Sequence, residues 1–505
     1  MRDRPPLVGG AAVLIDRYEP EDVFARVPEL ADQTDPVLVQ LDHLLDDDQL
    51  YQQVRGDLGQ RSRLTLVHGR PSTPAEVLLR LLVIQHLYAW SYQETVERVA
   101  DSLVLRWFCR VYFQRVPDQT TLLRWAATIR PVTVQALVDR AAWLAKQARV
   151  TRARKLRIDS TCVQTTIHHP TDSGLLGDGV RVLARLIRRA KPLVQTQLAS
   201  VRDAFRSRLR STRRLLQQVH RVRRLKGDAA AEQQQGLYQR LLTVTRQTVR
   251  QAERVRQALA PLVAGPEECP AAATGRTPGA PSALSRAARR LTTQFERFLP
   301  LVQQGIQQAQ QRVLDGQLVA STEKVLSLFE PHTRVVRRGK IGAAVEFGRQ
   351  VMLDEVEGGL VTRFHVLADE ESECHQGLPA IQHHRAVFGR SPWLVAGDRR
   401  LHTKGLEAVA QGLGVTHVVV PRMGRLSATQ LAREQQRRWR RRYRWRAGIE
   451  GRIHSLRRDY GLARSRSHGL VGLERDVGWG VLASDLRHLA SAQAQRQQIA
   501  ARQVA

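Results

Sequence analysis

"KLRIDSTCVQTTI", residues 155–167, decides how this chain is organised. The run is short, β-branched and bounded by polar residues, which predicts a strand. Asp159 lies in it. The chain on either side has a different character, so this strand marks a boundary. Upstream, residues ~35–150 follow helical spacing. In "TPAEVLLRLLVIQHLY", Thr73 is placed as an N-cap, Pro74 at the first helical position and Glu76 at N3. A second start falls at Ser91 with Glu94 three residues on, and a third at Asp118 ahead of Leu122, Leu123 and Trp125. Successive short helices suit a helix-turn-helix module or a plain helical bundle equally well.

Downstream, residues ~175–325 are rich in Gln, Arg, Leu and Val. Apolar residues three or four apart predict two long helices, separated near "KGDAAAEQQQG" and paired antiparallel. "AGPEECPAAATGRTPGAPS" (264–282) is Pro/Gly/Ala-rich and predicts a flexible loop, followed by a helix over ~283–314. The arginines of this region suit either DNA binding or a solvated scaffold. Strand patterns then return. "VEFGRQVMLDEVEGGLVTRFHVL" reads as a hairpin turning at Glu357-Gly358-Gly359. "HQGLPAIQHHRAVFG" reads as a helix and "PWLVAGDRR" as a buried strand ending at Gly397-Asp398. "TKGLEAVAQGLG" is a short helix, "VTHVVVPR" another strand, and one long helix is predicted from about Thr429 past Arg458.

The order is therefore one strand, a helical insertion, two strands, then helix and strand alternating. It suits a mixed α/β sheet, and it is the order of elements in the RNase H-like fold. The expected domains are an N-terminal helical part (1–150), a catalytic part in two pieces (151–174 and 326–490), the insertion (175–325) and a C-terminal tail (491–505).

The formal net charge of +31 on 505 residues points to a polyanionic partner. Only seven of the 79 basic residues are Lys; the arginine fork suits phosphate, though a GC-rich genome would also favour Arg. No apolar run reaches the ~18 residues of a membrane span, and the N-terminus makes a poor signal peptide. Four scattered Cys without a CxxC pair fit a reducing cytosol rather than a disulfide framework or a zinc site. Nucleic acid is favoured over a membrane as the partner.

Against that charge, "YRWRAGIEGRIHSLRR" (443–458) holds one carboxylate, Glu450, among arginines. At 100° per residue Tyr443, Arg446, Glu450 and Arg457 fall within a sector of roughly 60° on one helix face. An isolated carboxylate there would repel DNA unless a cation sat between them, so Glu450 is a candidate metal ligand. Phosphoryl chemistry with divalent ions needs hard oxygen donors. Asp159 and Asp398, each on or at the end of a strand, are the natural companions.

The spacing Tyr443–Arg446–Glu450–Arg457 resembles the Tyr–Arg–Glu–Lys signature of DDE insertion-sequence transposases, with Arg457 in the Lys position. "RIDSTCVQTTIHHPTDSGLLGDGVRVLARLIRR" is similar to the first-Asp segment of the ISNCY type, and "VAGDRRLHTKG" looks like its second-Asp strand and loop. "GRPSTPAEVLLRLLVIQHLYAWSYQETVERVADSLVLRWF" and "VPDQTTLLRW" resemble the N-terminal helical domain of related transposases. The resemblance implies an RNase H-like core with a helical insertion, binding Mg²⁺ or Mn²⁺, two ions, through Asp159, Asp398 and Glu450. Tyr443, Arg446 and Arg457 would hold the DNA backbone. Water would cut the element's end to free a 3′-OH, which then attacks target DNA. The partners implied are double-stranded element ends and target DNA, with a homodimer in the active complex, in a bacterial cytoplasm.

Several rivals stand beside this set. His168 and His169 follow the first strand, but magnesium favours oxygen and neighbouring strand residues face opposite ways. Asp172 suits a turn or helix start. Asp178 rivals Asp159, Glu474 rivals Glu450, and Glu346 is placed as a supporting group. Trp439, Tyr443 and Trp445 could stack on bases or pack in a core. The alternative functions are a nuclease of the same fold without strand transfer, and a DNA-binding regulator with an inactive site.

Overall fold

The computed structural model describes residues 12–13, 15–21, 26–27, 29, 34–60, 70–264, 282–340 and 343–504. The chain forms two compact units, 1–166 with 338–505, and 167–337. The expected loop at 264–282 lies almost wholly outside the described residues.

Unit one begins with helices α1 (Pro36–Leu45), α2 (Asp48–Gly59), α3 (Ala75–Leu87), α4 (Tyr92–Asp101), α5 (Leu103–Phe108), α6 (Gln119–Ala126) and α7 (Pro131–Gln147). Helix α3 starts one residue later than its sequence suggests. Pro74 is its N-cap and makes no side-chain cap bond, so Thr73 does not cap it. Proline lacks an N–H, and placing it just outside the helix sacrifices nothing. Ser91 and Glu94 form the expected reciprocal capping box on α4, and Asp118 Oδ1 accepts from Thr121 N at 2.8 Å at the start of α6. Every residue of α3 except His86 is buried. A helix buried on all sides must be surrounded.

The surround comes partly from the far end of the chain. Helix α17 (Leu470–Val504) packs on α1, α3 and α7 and on one strand of the sheet. One hydrophobic core thus runs from Leu41 and Leu82 through Leu156 and Val351 to Val477 and Leu486. Residue 150, the expected domain boundary, falls inside this unit, and residues 491–504 continue α17 as helix.

The sheet is built from β1 (Lys155–Gln164), β2 (Arg334–Lys340), β3 (Ala343–Val356), β4 (Leu360–Val366), β5 (Leu394–Gly397) and β6 (His417–Val419). Its order is β2-β3-β1-β5-β6, with β4 also paired to β3. The β3–β4 hairpin turns at Gly358 and Gly359, both at positive φ, where glycine is free of the Cβ clash. β3 runs antiparallel to β1 and β4, whereas β5 and β6 run parallel to β1 and to each other. Helices between the parallel strands, α12 (Gly377–Phe388) and α13 (Leu406–Gly412), make the crossovers such strands require. The fold is a mixed α/β sheet flanked by helices.

The long helix expected from Thr429 past Arg458 is three helices: α14 (Ala428–Gln435), α15 (Arg437–Arg446) and α16 (Gly448–Asp459). Gln436 is extended (φ −57°, ψ 136°) and breaks the run. Helix α14 buries nothing, so it has no apolar face to continue. After the break, Trp439, Tyr443 and Trp445 pack against Leu394, Ala396 and Val419 of β5 and β6. Ala447, between α15 and α16, keeps helical dihedrals, so helical phase carries across that junction.

Unit two contains α8 (Asp172–Val194), α9 (Leu209–Val222), α10 (Asp228–Ala264) and α11 (Ala283–Ala309). Its core is separate, built on Leu183, Ile187, Leu241, Val255, Phe295 and Val302. The unit spans 167–337, against the 175–325 expected for the insertion. Among the described residues no helix is long and apolar enough to cross a membrane.

Candidate nucleic-acid active site

β1 and β5 are parallel neighbours, and Ile158 pairs with Gly397. The next residue on each is an aspartate. Asp159 and Asp398 therefore sit at the same level on adjacent strands, whose backbones run about 5 Å apart. Asp398 ends its strand and caps a short turn over 399–401, its Oδ1 accepting from Arg400 N at 2.9 Å. The Oδ1 of Asp159 accepts from Ser160 N at 2.8 Å.

The α15–α16 segment supplies the third carboxylate. Its attachment begins at Arg157, whose guanidinium binds Glu355 and donates from Nη1 to the Trp445 carbonyl at 2.7 Å. Gly448 permits this approach, since a Cβ there would run into that guanidinium. Arg446 then reaches both acids. Its Nη1 lies 2.9 Å from Asp159 Oδ2 and its Nη2 2.6 Å from Glu450 Oε1. The side chains of Arg446 and Asp159 are each 14% exposed, while that of Glu450 is 65% exposed.

Burial pushes the Asp159 carboxyl up to about 6. The Ser160 N–H and Arg446 oppose that rise, and the charges of Asp398 and Glu450 add to it. Asp398 and Glu450 thus both act electrostatically on Asp159. Among the described residues, no group of three His, Cys, Asp or Glu is gathered so as to hold a metal ion. Between Asp159 and Glu450 the cation is Arg446. As described, Asp159, Asp398 and Glu450 are not gathered into such a group, and a guanidinium lies between two of them.

The other signature residues are used within the chain. Tyr443 stacks on Trp439, ring centroids 5.1 Å apart, and belongs to the cluster over Leu394 and Val419. Trp445 lies beneath Lys155 and Arg157. Arg457 points at β1: its Nη1 donates to the Cys162 carbonyl at 2.9 Å and to Thr161 Oγ1 at 3.3 Å, and its Nη2 pairs with Glu346 Oε1 at 3.1 Å. Glu346 thus meets α16 through Arg457.

Of the rivals, Glu474 is raised by burial and has His365 and Arg349 as its electrostatic neighbours. His168, His169, Asp172 and Asp178 belong to unit two. There His168 faces Asp178 at 3.5 Å, Asp178 pairs with Arg181, and Asp172 begins α8 and binds Arg312 and Gln308. One residue of the site has no sequence signal. Glu373 accepts from Ser160 Oγ at 3.0 Å and from the Gln350 amide, and pairs with Arg400 at 3.2 Å. It ties the residue after Asp159 to the one two past Asp398. In "ADEESECHQ" it is one acid among several, with no periodicity to single it out.

A family model described as a transposase domain (DUF772) matches residues 26–128. Over 152 residues the chain is 28% identical to the "Uncharacterized protein ORF8 in nfe locus" of Rhizobium meliloti, a stretch covering 29% of this chain and 72% of that protein. No solved structure matches the chain. The helical segment from ahead of α1 to just past α6 is thus similar to a transposase domain, which supports a transposase family for the chain.

Proposed function

We propose that this chain is a DDE-type transposase of the ISNCY kind, which binds the ends of an insertion sequence and cuts and joins DNA with Mg²⁺ or Mn²⁺. The carrying observation is the Asp159–Arg446–Glu450 bridge, set where β1 and β5 bring Asp159 level with Asp398. The antiparallel strands β1, β3 and β4 followed by the parallel β5 and β6, with β2 added at the edge, support an RNase H-like core, and the transposase-domain similarity of residues 26–128 supports the substrate class.

Asp159, Asp398 and Glu450 would hold the divalent ions, which when bound supply charge neutralisation at the phosphate and Lewis acidity toward its oxygens. The rest falls to the chain itself. Arg446 holds two carboxylates close before substrate arrives and opposes the rise that burial imposes on Asp159. A DNA phosphate offers its guanidinium a bidentate alternative. Exchange of carboxylate for phosphate would anchor the backbone and release both acids at once. Tyr443 and Arg457 would act on DNA by fixing α15 and α16 to the sheet, so that Arg446 meets the backbone at a set height. Preorganised charge of this kind is the main source of rate in phosphoryl transfer. Two element ends must be joined, so two copies of the chain are expected in the active complex, on DNA in a bacterial cytoplasm.

The test is a supercoiled donor plasmid carrying the element's ends, incubated with the full chain, Mg²⁺ and a target plasmid. Joined donor–target molecules that disappear with Asp159→Asn are expected. Linear donor alone would reassign the chain to hydrolysis without transfer. DNA that is bound but uncut would remove the catalytic reading.

A further inference from the structure

Unit two carries 29 basic against 12 acidic residues between 167 and 337, a net of +17 out of the chain's +31. The excess is uneven. From 204 to 227 there are nine Lys and Arg and no Asp or Glu. Helix α9 lies in this stretch. Thr212, Val219 and Val222 are buried, with Leu215 and Leu216 half-buried beside them. On the opposite side Arg210, Arg213, Arg214 and Arg221 are exposed and fall within an arc of roughly 100°, with Gln217 between them. None of the four forms a salt bridge among the described residues, whereas Arg181 and Arg312 of the same unit are paired to acids.

Helix stability does not account for the stripe. A cation near a helix C-terminus is favourable, and that covers Arg221. Arg210, Arg213 and Arg214 lie in the first two turns, where the macrodipole disfavours cations, and α9 has no acid in its first turn. Nor does solubility account for it, because neutral glutamines serve at the exposed positions 217 and 218. Four like charges on one face cost stability unless something meets them.

We propose that the outer face of α9 is a second DNA-binding surface, docking the phosphate backbone of double-stranded DNA without reading its sequence. Arg210 to Arg221 spans about 17 Å along the helix axis. A duplex presents a phosphate roughly every 3.4 Å of axis on each strand, so the stripe meets about five. The contacts are bidentate guanidinium–phosphate pairs. The inference rests on the DNA partner of the proposed function and is independent of its cleavage chemistry.

The experiment compares the full chain with the quadruple variant R210Q/R213Q/R214Q/R221Q and its counterpart with lysine at the same four positions. Gln and Lys are both good helix formers, and circular dichroism checks the fold. Binding to a random-sequence duplex is followed by fluorescence anisotropy as salt is raised. Each lost phosphate contact lowers the slope of log K against log salt by about 0.9. The Gln variant should lose about 2–4 units of slope and at least roughly tenfold in affinity near 0.1 M salt, while the Lys variant keeps the slope. A folded Gln variant with unchanged slope overturns the proposal even if the chain proves to be a transposase. So does a Gln variant that keeps DNA affinity but loses binding to phosphatidylserine vesicles. A wild-type chain that does not bind duplex at all overturns both readings.

Discussion

Arg446 holds Asp159 across 287 positions of sequence, Nη1 to Oδ2 at 2.9 Å, and with its other nitrogen holds Glu450. A cation supplied by the chain thus lies between two of the acids that the proposed chemistry assigns to a metal. The arrangement explains how Asp159 and Glu450 can stand close together before any metal or DNA is present.

The same arrangement sets a titration. The Asp159 carboxyl lies near 6, above its ordinary value of 3.8. The folded chain therefore binds this proton more tightly than the unfolded chain. The stability linked to it is complete below about pH 4 and is lost as pH rises through 6. Carboxyl-carbon NMR should find a group titrating near 6 that vanishes in Asp159→Asn. Arg446→Gln removes a lowering influence and should move the titration up, whereas Glu450→Gln removes a raising one and should move it down. Shifts of the opposite sign would contradict the described geometry.

Substituting the carboxylates separates the candidate set from its rival. Asp159→Asn, Asp398→Asn and Glu450→Gln should each reduce plasmid cleavage by about 10²–10³-fold or more, as expected when charge stabilisation is removed from a phosphoryl-transfer site. Binding to element ends should stay within about threefold of wild type, since the arginines remain. Glu474→Gln should cut normally. The reverse pattern would move the third acid to α17.

Arg457→Lys is a test of position against contact. Lysine cannot make the fork that spans Thr161, the Cys162 carbonyl and Glu346. Urea unfolding should show a loss of about 1–2 kcal/mol. The salt slope of DNA binding should be unchanged. A slope reduced by about 0.9 with unchanged stability would instead make Arg457 a direct phosphate contact.

Arg80 is the buried charge on which the helical half of unit one depends. It is fully buried and binds Asp42 and Asp46 at 2.6 Å each, with Glu76 at 3.4 Å. Arg80→Met fills the same space but strands the acids, and should cost about 3–5 kcal/mol by urea unfolding. A loss below about 1 kcal/mol would mean that Arg110, which also reaches Asp42 at 3.0 Å, suffices alone.

The sequence by itself determined what is local. The β-branched run around Asp159, the Gly-Gly hairpin, the caps at Ser91 and Asp118 and the α/β alternation after 343 all follow from spacing and turn chemistry, which act over a few residues. The same short-range signals singled out Asp159, Asp398 and Glu450 as candidates. Tertiary structure decided the rest. The break at Gln436 depends on where β5 and β6 offer Leu394 and Val419 to the aromatics of α15. The inward turn of Arg457, the entry of Glu373 and the placing of Arg446 between two acids each depend on sheet register and on the charge of groups hundreds of residues away. A side chain's partner is fixed by which strands lie side by side, and no period in the sequence encodes that.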